Sequence, residues 1–84
     1  MVLFILTRAG YEEMRPMIST SAVWVNAQVL SNAEVNDLRV NGVDLTCFTN
    51  PLDPHNADDL QMAIGTISEH HPEERIWVET QSAV

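Results

Sequence analysis

Lysine is absent from this chain, and its only side-chain cations besides histidine are four arginines, Arg8, Arg15, Arg39 and Arg75. Twelve acidic residues oppose them, giving a formal net charge of -8. A nucleic-acid binder needs clustered Lys and Arg to hold phosphates, and four scattered arginines make no basic stripe. The same deficit disfavours docking on an anionic membrane surface. Cysteine is nearly absent too: Cys47 stands alone, so no internal disulfide is possible. No apolar run approaches the ~20 residues of a membrane span. Val2–Leu6 is the longest, and it lacks the basic n-region and the length of a signal peptide. The expectation is a soluble, cytoplasmic, acidic chain.

Phosphate-binding glycine motifs are missing as well. "TRAGYEE" (7–13) reads as strand, loop and helix, yet it matches neither G-x-G-x-x-G nor G-x-x-x-x-G-K-[ST]. Glu12 and Glu13 also occupy the helix start that a phosphate would need.

What is present is alternation. The 84 residues suffice for one domain, 1–84, with 80–84 expected as a flexible tail. "VLFILT" (2–7) is a continuous apolar run suited to a strand buried on both faces. In 8–19, Tyr11, Met14 and Ile18 recur at helical spacing, and Pro16 predicts a short or kinked helix. "AVWVN" (22–26) reads as a shorter strand. Ser31 followed by Glu34 is a capping box, Val35 and Leu38 with Val40 give an apolar side, and Gly42 suits a left-handed cap. "VDLTCFT" (43–49) is a third strand. After "NPLDPHN", Asn56 caps a helix with Asp58 and Asp59 in its first turn and Leu60, Ala63, Ile64, Ile67 and His71 on one side. Pro72 ends that helix, and "RIWVE" (75–79) is the fourth strand.

The pattern is β-α-β-α-β-α-β, which implies α/β architecture with a four-stranded parallel sheet and right-handed crossovers. It resembles a flavodoxin-like or Rossmann-like arrangement in miniature. The resemblance is architectural; no family motif accompanies it, and it implies no function. The most apolar strand is expected at the centre, giving the order 2-1-3-4, with helix 1 alone on one face and helices 2 and 3 on the other. Alternation along strand 4 then puts Ile76 and Val78 under the two-helix face and Trp77 on the thinly covered one.

Two sites follow from that topology. Ligands of open parallel sheets bind beyond the strand carboxyl ends, where strand order reverses. Between strands 1 and 3 that rim carries Thr7, Arg8 and Gly10, then Thr49, Asn50 and Asp53, with Glu79 and Thr80 nearby. Arg8, Thr49, Asn50 and Asp53 are the ligand-binding candidates, for a small molecule of unknown identity. The second site is an interface centred on Trp77, helped by Phe48 and Cys47.

Other chemistry finds little support. Asp53, His55, Asp58 and Asp59 could hold a cation loosely, but the acids are explained as turn and first-turn residues, and no paired-histidine spacing exists. No metal and no cofactor is expected. Cys47 lies within a strand rather than at a helix start that would activate it. No serine sits in a nucleophile elbow. Two function classes remain. One is a non-catalytic interaction or regulatory module that self-associates or binds a protein partner. The other is a ligand-binding or enzymatic domain using the carboxyl ends of strands 1 and 3.

Overall fold

A computed structural model describes residues 1–79. Its elements are β1 (Val2–Ile5), α1 (Arg8–Met14), a 3-10 segment (Arg15–Thr20), β2 (Ala22–Val25), α2 (Asn32–Val40), β3 (Asp44–Cys47), α3 (Ala57–His70) and β4 (Ile76–Val78). The expected tail, 80–84, lies outside the described residues.

Local chemistry accounts for the boundaries. Thr7 caps α1 by accepting from the Gly10 amide at 3.1 Å. Pro16 cannot donate to an α-helical turn, and the helix tightens into the 3-10 segment with proline in its first turn. Ser31 and Glu34 form both bonds of the capping box at α2. Gly42 adopts φ +88°, and Val43 N donates back to Leu38 O at 3.0 Å, closing α2 with a left-handed turn. The Asn56 side chain accepts from the amides of Asp58 and Asp59. Val40, grouped by spacing with the apolar side of α2, is instead 86% exposed.

All four strands are parallel, but their order is 3-2-1-4, not 2-1-3-4. The reason lies in burial on both faces. β2 is as suited to the interior as β1: Val23, Trp24 and Val25 are all buried. β3 alternates exposed Asp44, buried Leu45 and half-buried Thr46, which suits an edge.

Order 3-2-1-4 also corrects the layers. The chain steps in one direction from β1 to β2 to β3, so right-handed crossovers lay α1 and α2 on one face. The return from β3 to β4 runs the other way and lays α3 alone on the other. Leu3, Ile5, Val23, Val25 and Leu45 pack with Tyr11, Ile18, Val35 and Leu38 on the two-helix face. Val2, Phe4, Leu6 and Trp24 pack with Ala63, Ile67, Leu60 and Ile64 beneath α3. Ile76 and Val78 therefore face the single helix rather than the pair. Trp77, in register with Leu3, faces the side of α1 and α2.

Candidate functional site

Strand order reverses between β1 and β4, so the crevice lies there and not between strands 1 and 3, which are not neighbours. The chain's own Glu79 occupies the rim of that crevice, beside a hollow lined by Gly10, Glu13, Met14 and Trp77. The Glu79 carboxylate accepts from the Leu6 amide at 2.8 Å, the Thr7 amide at 2.9 Å and the Thr7 hydroxyl. That hydroxyl in turn accepts from Gly10 N, so one short relay ties the end of β4 to the start of α1. Gly10 is required for the approach: a Cβ there would collide with the Glu79 carboxylate.

The neighbouring rim, over β1 and β2, is filled by a second side chain. Asn26 is buried, with 6% exposure. Its amide donates to Leu6 O and Leu52 O at 3.2 and 2.8 Å. Its carbonyl accepts from Leu52 N and Ala27 N, both at 2.8 Å. Four bonds saturate the group, so it fastens the loop before α3 to the sheet rather than presenting polar atoms outward.

The four ligand candidates do not converge. Arg8 turns toward the start of α2, where it pairs with Glu34 at 2.8 Å and with Glu12 at 3.0 Å. Its guanidinium also lies 5.1 Å from the Tyr11 ring centroid. The bond to Glu34 raises the Arg8 pKa, and the Ser31 backbone with Arg8 lowers that of Glu34. Asp53 accepts from His55 N at 2.9 Å, and its own amide donates to Asp59. Thr49 and Asn50 are exposed beyond β3, beside a hollow shared with Leu52 and Met62. Among the described residues no three His, Cys, Asp or Glu side chains gather to hold a metal ion.

Trp77 stands apart from Phe48 and Cys47. They belong to opposite ends of the sheet, three strand spacings or ~14 Å apart. Phe48 packs between Phe4 and Trp24 under α3, with ring centroids at 5.7 and 5.5 Å. Cys47 packs on the two-helix face, where burial pushes its thiol pKa up and away from a reactive thiolate.

Trp77 itself is 51% exposed. Arg75 lies over its ring, 5.7 Å from the centroid. Met1, Leu3, Met14 and Met17 join it around an apolar hollow beyond the edge of α1. Met1 and Met17 are themselves exposed, at 42% and 43%. Spacing in the sequence predicts the Trp77 side chain but not its grouping with Met1 at the chain start, Met14 at the end of α1 and Met17 in the 3-10 segment. Nor does spacing reveal Glu79 as a plug, because its partners lie more than seventy residues away. Among the described residues no helix is long and apolar enough to cross a membrane. No family model, curated protein or solved structure matches the chain.

Proposed function

We propose that this is a non-catalytic interaction module that self-associates through the surface around Trp77. The observation that carries the reading is the half-exposed Trp77 ring beside two exposed methionines on a three-residue strand. Tryptophan is a frequent anchor of protein interfaces, and flexible methionines adapt to a partner's shape. Glu79 and Asn26, which stand where a ligand would be expected, are engaged with the chain's own backbone; this favours the interaction reading over the ligand-binding one. A reducing compartment such as the cytoplasm fits a chain whose one cysteine can form no internal disulfide. An acidic surface would also speed encounter with a basic protein.

Light scattering after size exclusion, from micromolar to millimolar chain, tests the reading. The expected result is a monomer–dimer equilibrium that Trp77→Ser shifts at least tenfold toward monomer while the circular dichroism spectrum is kept. Wild-type chain that stays monomeric at millimolar concentration overturns the reading.

A further inference from the structure

The backbone of β4 specifies how a second copy would attach. Val2 N donates to Arg75 O at 2.8 Å, and Glu79 N donates to Phe4 O at 2.9 Å. Arg75 and Glu79 thus turn their backbone groups toward β1, and the two-residue period of a strand does the same for Trp77. Ile76 and Val78 turn theirs outward. Among the described residues nothing pairs with that side of β4.

We infer that two copies join along this edge, antiparallel, with Trp77 of each on the two-fold axis, making one eight-stranded sheet of order 3-2-1-4-4-1-2-3. This rests on the self-association just proposed and adds its geometry. In this register Ile76 of one copy exchanges both backbone bonds with Val78 of the other, and the reverse. The two Trp77 residues form a non-hydrogen-bonded pair, the class in which side chains come closest.

The short strand selects this register. Centring the axis on Trp77 pairs Ile76 and Val78, the two residues of β4 whose backbone groups turn outward, with each other. Centring it on Ile76 would instead pair Val78 with Glu74, which lies outside the strand. Glu79 keeps its bonds to Leu6 and Thr7 in this arrangement. The contact is short, and its affinity belongs at the weak end of protein interfaces.

Amide hydrogen exchange by NMR at 20 µM and at 1 mM tests the geometry. The Trp77 amide, bonded within the chain, should be protected at both concentrations. The Ile76 and Val78 amides should become protected at least tenfold more strongly only at the higher one. Trp77→Cys in a Cys47→Ser background should oxidise to a disulfide-linked dimer, whereas Met62→Cys on α3 should not. A dimer whose Ile76 and Val78 amides exchange freely overturns the edge geometry and leaves self-association standing. Protection that does not depend on concentration assigns the edge to the chain itself and also overturns it. Absence of any dimer overturns both.

Discussion

The two edge strands of this sheet are treated differently. On β3, Phe48 N donates inward to Val25 O, so Leu45 turns its carbonyl outward, where Arg39 of α2 meets it with Nη2 at 3.0 Å and Nε at 3.3 Å. One of only four arginines is committed to covering one carbonyl. On β4, nothing among the described residues meets Ile76 and Val78 from outside, and a tryptophan stands half in solvent beside them. An open edge invites strand addition. One guarded edge and one open edge have a specific consequence for assembly. Two copies meeting at β4 leave only guarded edges outward, so growth stops at a closed two-fold dimer. Two open edges would permit an unending stack.

Releasing the far end of β4 should have the largest effect. Glu79→Ala removes three hydrogen bonds and strands the Leu6 and Thr7 amides in a half-buried crevice. The expected loss is about 2–3 kcal/mol, read as a lower urea midpoint. Gly10→Ala should weaken the same contact from the other side, because its new Cβ meets the carboxylate. If Glu79→Ala leaves the midpoint unchanged, β4 is not held by this carboxylate, and the contrast loses its open but anchored edge.

Removing the guard on β3 should cost less stability and change assembly more. Arg39→Met keeps much of the aliphatic stem and removes both bonds to Leu45 O. The expected loss is about 1 kcal/mol. The second edge is then bare, and light scattering at millimolar concentration should report species larger than a dimer. A variant that stops at the wild-type size shows that β3 is closed by something other than Arg39.

How far these differences could be read in advance depended on the distance over which each is decided. Element order was legible because its signals are local: Ser31 with Glu34, Gly42, and Asn56 with Asp58 and Asp59. Strand order is decided by which strands are buried on both faces. "VLFI" and "AVWV" carry nearly equal apolar content, and the polar alternation of "DLTC" was the available clue that strand 3 belongs at an edge. Trp77 was legible through its charged neighbours Arg75 and Glu79. Its separation from Cys47 and Phe48 was not, since that follows from strand order. Arg8 was read as a rim cation because it follows strand 1, but Glu34 lies close enough in space to claim it, twenty-six residues away in sequence. Asn26 and Glu79 gave no local signal, because the bonds from Leu6 and Thr7 to Glu79 and most of those that define Asn26 cross between elements.

The smallest expected effect separates the edges by acid. Glu74, just before β4, accepts from the Met1 amine at 3.0 Å and contacts His71 Nδ1 at 2.9 Å. The amine bond first, and the His71 bond second, hold its carboxyl below the ordinary value of 4.5. A folded-state pKa below the unfolded one stabilises the fold fully above about pH 4.5, and that contribution is lost as pH falls through the lowered value. The guard on β3 contains no carboxylate, only Arg39 on a backbone carbonyl. Acid should therefore loosen the entry to β4 while the guard on β3 stays in place. Urea midpoints measured from pH 6 to 3 should fall less steeply for Glu74→Gln than for the wild type, and the two curves should converge at the acid end. Glu34, also held low, titrates in the same window, so the slope should shrink without vanishing. An undiminished acid slope in Glu74→Gln would mean that the entry to β4 does not depend on this carboxylate, and that the edges differ in exposure alone.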